Sequence, residues 1–172
     1  VLTNNDAIAK RVALNQIMLL DSTLTQYQDS LARLYIGSGN YTAGLRYANK
    51  VCDADQCNEK LKENMAQAYQ QTGEASKAEK IFSTLLDETN DAKYLYQKLV
   101  IYFETGNQAG FDSLSTSILE QSKTDTLMAQ TTVTIQGPIT GENQPVPLTA
   151  ATYFLIGNNA LNTTQDTQKG GN

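Results

Sequence analysis

The sequence predicts an all-α fold built from repeated helix-turn-helix units, and three observations predict it. Ala32, Tyr35, Gly39 and Gly44 recur in the same order and at one constant interval as Ala66, Tyr69, Gly73 and Ala78. A fixed interval of about 34 residues means one supersecondary unit copied and stacked. Apolar residues recur three or four apart through most of the chain, the spacing of one face of an α-helix. Finally, the first helix of each hairpin in the duplicated region runs into glycine, which supplies the left-handed conformation that stops a helix.

The helices follow in order. Asn5 to Leu20 reads as an amphipathic helix capped by Asn5 or Asp6, with Ile8, Val12, Ala13, Ile17 and Leu20 on its apolar face. Asp21 and Ser22 offer the next cap, and Leu24, Tyr27, Leu31, Leu34 and Tyr35 mark helix A of a first hairpin, which stops at Gly37-Ser38-Gly39-Asn40. Its helix B runs from Tyr41 to about Cys52, with Leu45, Ala48 and Val51 inward. A second copy places helix A over Glu59–Gln71, the stop at Thr72-Gly73 and helix B from Ala75 to about Asp87. The small residues Ala32, Ala66, Gly44 and Ala78 are expected where helix axes approach most closely, since a larger side chain would force them beyond about 8 to 10 Å.

A third copy is shorter by one position: Tyr102 and Gly106 follow Tyr69 and Gly73 at an interval one less than that of the first two copies. Its helix A continues through Leu95, Leu99 and Tyr102, and its helix B spans Gln108 to Gln121, with Phe111 where Ala78 stood and Ser115 where Phe82 stood. After Lys123 the helical texture stops. Thr131, Val133 and Ile135 alternate with polar residues, and Gly137-Pro138 and Gly141 punctuate the run, so a short hairpin through Val146, or an irregular loop, is expected. Helical spacing returns at Leu148, with Tyr153 and Gly157 placed as on helix A of a further hairpin, and the chain ends in polar residues without a second helix. The boundaries are 1–22 for the preceding helix, 25–58, 59–91 and 92–123 for three repeats, 124–147 for an insertion and 148–172 for an incomplete fourth repeat, all in one domain.

Composition narrows the function. Thirteen Lys and Arg against 18 Asp and Glu give a net charge of -5, which leaves no counterion-release gain and predicts no nucleic-acid partner. The 172 residues contain no His, the commonest general base near neutral pH and the commonest transition-metal ligand, so neither catalytic residues nor a metal site nor a cofactor is predicted. No apolar run approaches the roughly 20 residues needed to span a bilayer. Charged residues make up 18% of the chain, below the usual quarter, and Ser, Thr, Asn and Gln fill the gap, giving a surface wetted by amides and hydroxyls more than by ions. Cys52 and Cys57 enclose a short loop; their spacing allows a disulfide or two unpaired thiols. The amide-rich surface and this cysteine pair predict an extracytoplasmic protein, periplasmic or on the cell surface, with the cytoplasm as the alternative. A chain that opens on Val1 is expected to have lost an upstream piece, and the array is expected to stop short of its natural end.

The repeat resembles the tetratricopeptide repeat, a helix-turn-helix of about 34 residues with a small residue, Tyr three later, a further small residue and an aromatic. Ala66, Tyr69, Gly73, Ala78 and Phe82 carry the full pattern. The first copy has Ala48 in place of the late aromatic, the third keeps Tyr102 and Gly106, the fourth keeps Tyr153 and Gly157, and no copy has the tryptophan or the closing proline. The resemblance implies a right-handed superhelix whose concave face, lined by the A helices, holds a peptide or partner protein without catalysis. Counted from the buried Ala and Tyr, that face comprises Gln26, Asp29, Arg33 and Ile36, then Lys60, Glu63, Gln67 and Gln70, then Lys93, Tyr96, Val100 and Phe103. The family's carboxylate clamp requires Lys where this chain has Asp29 and Glu63, so that ligand class is not expected. Tyr96, Val100 and Phe103 form the expected apolar anchor, although the same side chains suit packing against the 124–147 segment or the next helix. Two copies could also pair through the open C-terminal end. The alternative role is a cell-surface protein that binds carbohydrate or another small ligand on the same scaffold, its Asn, Gln and Tyr content suiting sugar hydroxyls.

Overall fold

A computed structural model describes residues 4–21, 24–136 and 142–169. Its elements run α1 (Asn4–Leu20), α2 (Thr25–Gly37), α3 (Tyr41–Asp53), α4 (Glu59–Gln71), α5 (Ala75–Thr89), α6 (Lys93–Thr105), α7 (Gln108–Gln121), α8 (Thr126–Gln130), β1 (Thr132–Gln136), β2 (Asn143–Pro147) and α9 (Leu148–Lys169). The expected all-α class is observed, with one small sheet. Two compact units divide the chain, residues 1–81 and 82–172, and the boundary falls within α5.

In the first unit the α2–α3 and α4–α5 turns stop on glycine, and the α3–α4 turn uses Asp55 at φ of 59° instead. Gly39 and Gly73 take φ of 79° and 78°, a region that costs an L side chain roughly 1 to 2 kcal/mol. The helix after each turn then starts on a defined group. Asn40 accepts from the Ala43 amide at 3.3 Å and Asn58 from the Leu61 amide at 3.0 Å, satisfying amides that no helical carbonyl reaches. At the start of α5 Lys77 hydrogen-bonds to Glu74, which holds that carboxyl below its ordinary pKa, and its ammonium lies 5.1 Å from the centre of the Tyr69 ring.

Ala32, Ala66 and Ala78 are fully buried, as the small-residue positions require, and Leu31, Ala48 and Leu61 are fully buried beside them. At Gly44 the reason is explicit: a Cβ there would lie 2.5 Å from Ile36 Cγ1, 3.0 Å from Ile36 N and 3.1 Å from Ala32 O. Tyr69 is buried and Tyr35 half-buried, stacked on Tyr47 with centroids 5.8 Å apart. The docking of α1 corrects the sequence expectation. Its contact face is Leu14, with Asn15 donating to Tyr35 Oη at 3.1 Å and accepting from Tyr47 Oη at 3.3 Å, and Arg11 over the Tyr35 ring. Ile8, Val12 and Ala13 are exposed instead. The polar edge of Tyr35 and Tyr47 selects Asn15, which leaves Ile8, Val12 and Ala13 outward while Ile17 is half-buried. Asn5 and Asp6 lie inside the first turn of α1, and the cap position of α2 is Leu24, three residues past Asp21. Ser22 lies outside the described residues.

The second unit is built around α6, α7 and α9. Gly106 ends α6 with φ of 67°, and Asn107 caps α7 by accepting from the Gly110 amide at 3.1 Å. A Cβ on Gly110 would lie 2.8 Å from Asn107 Nδ2 and 3.1 Å from both Asn107 Cγ and Tyr102 Cδ2, so the capping side chain and the Tyr102 ring together leave little room there. Phe111 and Ser115 are both buried; the Phe111 ring lies 6.1 Å from that of Phe103, and Phe111 and Ser115 line a cavity of about 440 Å³. β1 and β2 pair antiparallel, Thr132 opposite Pro147 through Gln136 opposite Asn143, so the hairpin alternative is the observed one. Its turn at Gly137-Pro138 and Gly141 lies outside the described residues.

One expectation fails here. Helical structure does not stop at Lys123: Asp125 accepts from the Leu127 and Met128 amides and starts the short α8. The helical spacing read from Leu148 is observed, and α9 runs through Gly157 to Lys169. Among the described residues no partner helix folds back along α9 from its C-terminal side, and Tyr153 is 62% exposed where Tyr69 is 9% exposed. The two kinds of glycine should therefore respond oppositely to alanine. Gly73→Ala is expected to lower stability by about 1 kcal/mol, because of its positive φ. Gly157→Ala, helical and with open space at its Cβ position, is expected to raise it by roughly 0.5 to 1 kcal/mol. Thermal melts of the two variants check both signs.

Candidate interaction face

In the first unit α4 packs on α2 and α3. Its buried side is Leu61, Met65, Ala66, Ala68 and Tyr69. Asn64, Gln67 and Gln71 fall beside that side at positions i, i+3 and i+7, and so share one stripe of the helix. With Arg33, Ile36 and Gly37 from α2 and Tyr41 from the start of α3, they line a cavity of about 440 Å³. Ile36 is its apolar floor, 8% exposed. Asn64, Gln67, Gln71 and Tyr41 have no side-chain hydrogen-bond partner among the described residues, so their donors and acceptors remain available.

Arg33 is not a free cation. Its Nε donates to both carboxylate oxygens of Asp29 at 3.0 Å, and Nη2 donates to Asn58 Oδ1 at 3.1 Å. Asn58 thus caps α4 and holds the guanidinium at once. The residue before it, Cys57, is bridged to Cys52, with Cα atoms 4.3 Å apart, and this bridge closes the loop that immediately precedes Asn58. With Asp29 balancing Arg33, the cavity offers carboxamides and a phenol, which suit neutral polar groups better than a formal charge.

The sequence-predicted residues divide three ways. Arg33, Ile36 and Gln67 line the cavity. Lys60, exposed and paired to Glu63 at 3.0 Å, the half-buried Gln70 and the exposed Gln26 lie outside it. Lys93 is bonded to Asp91 at 3.2 Å, its ammonium 4.7 Å from the centre of the Tyr94 ring. The apolar anchor requires correction. Tyr96 is 6% exposed and sits in the core of the second unit with Leu99, Phe111, Met128, Val133 and Leu148, and Val100 and Phe103 are half-buried against the same cluster. Burial pushes the Tyr96 phenol above its ordinary pKa. These side chains are interior because β1 and α9 pack onto α6.

Sequence reasoning missed Asn64, Gln71 and Tyr41. Counting from Ala66 and Tyr69 alone selects 60, 63, 67 and 70 on α4; the cavity takes 64, 67 and 71. Ala68 is the signal that turns the count, because a fully buried alanine there widens the packed side of α4 and shifts the open stripe toward α2. Among the described residues no group of three or more His, Cys, Asp or Glu side chains could hold a metal ion, and no helix is long and apolar enough to cross a membrane.

No protein-family model and no curated protein matches the chain. Among solved structures it is similar to a tetratricopeptide repeat protein from Parabacteroides merdae, with 20% identity and a TM-score of 0.58. The likeness covers 73% of this chain and 50% of that one, so the chain spans about half the length of its structural neighbour. Glycine turns at positive φ, buried alanines at the repeat interval and this likeness agree: the chain is a helical-repeat protein with the tetratricopeptide-repeat fold.

Proposed function

We propose that the chain is a noncatalytic interaction module that holds an extended segment of a partner protein against the α2–α4 face. The observation that supports this is the stripe Asn64, Gln67 and Gln71, three unpartnered carboxamides in one cavity with Ile36 beneath them. An extended peptide presents amides and carbonyls that pair with carboxamides, while a side chain of the segment covers Ile36. Each net hydrogen bond contributes about 0.5 to 1.5 kcal/mol, so three together amount to tenfold or more in affinity.

Phage display of random peptides against the wild-type protein tests the reading. Selected peptides are expected to weaken at least tenfold on a triple Asn64→Ala, Gln67→Ala, Gln71→Ala variant and to be unaffected by Lys50→Ala, an exposed change on α3 that is not part of the cavity. Equal affinity for the triple variant would sink the proposal. The same amides, with the Tyr41 phenol, could pair with sugar hydroxyls, which is the second reading; saturable glycan-array binding with no selectable peptide would favour it.

A further inference from the structure

In the second unit the C-terminal ends of α5 and α7 meet at a cavity of about 730 Å³, within the range of ligand-binding clefts. Its floor is apolar, from Leu86, Leu95 and Met128, and Leu127 stands on its rim, 77% exposed. The charged side chains that line it are all acidic: Asp87, Asp91 and Asp125. Lys93 is bonded to Asp91. The Asp87 side chain has no hydrogen bond or ion pair among the described residues. Asp125 uses Oδ1 for both helix-capping bonds, 2.8 Å to Leu127 N and 3.2 Å to Met128 N, and Oδ2 is left over.

The backbone adds negative potential of the same sign. Helix C-termini carry roughly half an elementary negative charge, which a basic residue in the last turn ordinarily offsets. Neither α5 nor α7 has one there, and Lys123, just past α7, is hydrogen-bonded to Glu120 at 2.6 Å. The cavity therefore combines an apolar floor with two helix ends and two carboxylates, Asp87 and Asp125, that no cation of the described chain offsets. A bare metal ion would leave the floor and Leu127 uncovered. A long aliphatic stem ending in a cation satisfies both parts.

We propose that this cavity receives a lysine or arginine side chain from a segment of a partner protein. The stem lies over Leu86, Leu95 and Met128, the charged head faces Asp87 and Asp125, and an apolar neighbour in the segment covers Leu127. This rests on the second unit alone and does not depend on what the α2–α4 face binds.

The test is amide chemical-shift mapping of the isotope-labelled protein with acetyl-Leu-Lys-Leu-amide, its norleucine analogue and hexylammonium. The lysine peptide is expected to shift the Leu86, Leu95, Leu127 and Met128 amides saturably, at least fivefold more tightly than the norleucine peptide, and to weaken as NaCl rises. Asp87→Asn with Asp125→Asn should abolish that preference while preserving the spectrum, because Asn also caps helices well. Hexylammonium is expected to bind at least fivefold more weakly than the lysine peptide, having nothing to cover Leu127. Equal binding of the norleucine peptide, shifts confined to other residues, or an undiminished lysine preference in the double variant would each overturn the proposal. Hexylammonium binding as tightly as the peptide would overturn the assignment to a protein segment.

Discussion

Leu99→Ala is expected to lower the stability of the unit formed by residues 82–172 by about 2 to 5 kcal/mol, although it restores the residue that the repeat carries at 32 and 66. Leu99 is fully buried among Tyr96, Phe111, Ile118, Met128 and Leu148. In the α6–α7 hairpin both small positions of the repeat hold large side chains, Leu99 and Phe111, and the reciprocal small residue is Ser115. Truncating Leu99 opens a void that its neighbours cannot close without moving α9 and the hairpin. Urea unfolding followed by amide exchange in this unit measures the loss. Stability equal to or above wild type would mean that repeat consensus governs this core and the packing described here does not.

Gly44→Val is expected to cost about 3 kcal/mol, and the direction distinguishes two effects. Glycine inside a helix is ordinarily about 1 kcal/mol worse than alanine, so propensity alone favours replacement. Against that stands a Cβ 2.5 Å from Ile36 Cγ1, which can rotate, and 3.0 and 3.1 Å from the Ile36 amide and the Ala32 carbonyl, which cannot. Relief then requires α2 and α3 to separate, and overpacking of this kind costs roughly 1 to 3 kcal/mol for added methylenes, more when the added group is branched. Gly44→Ala should lose about 1 kcal/mol net. A melting midpoint that rises in both variants would show that the two helices are not in close contact at this point.

The legible parts of the fold share a cause. Helices α2 to α5 and the stops at Gly39 and Gly73 were readable because a left-handed turn and a close crossing each restrict a single position to glycine or alanine, whatever else surrounds it. The caps at Asn40, Asn58 and Asn107 are made within three residues of sequence as well, yet the caps expected from sequence were others, at Asn5 or Asp6 and at Asp21 or Ser22. The candidate site was half legible: Arg33, Ile36 and Gln67 follow from helix periodicity, but Asn64, Gln71 and Tyr41 depend on which side of α4 faces α2, and a periodicity has no absolute zero.

Periodicity and glycine placement by themselves determined that this chain is a set of stacked helical hairpins, because those signals act over a few residues and tolerate any neighbour. Tertiary structure alone decided three further matters. Tyr96, Val100 and Phe103 went inside because apolar residues announce that they will be covered without saying by what, and here β1 and α9 cover them. Helix α9 passed straight through Gly157 because no returning helix among the described residues competes for the left-handed turn that glycine permits. Ile8, Val12 and Ala13 of α1 faced outward because Asn15 found two tyrosine hydroxyls, a pairing between residues 20 and 32 positions apart that no local pattern encodes.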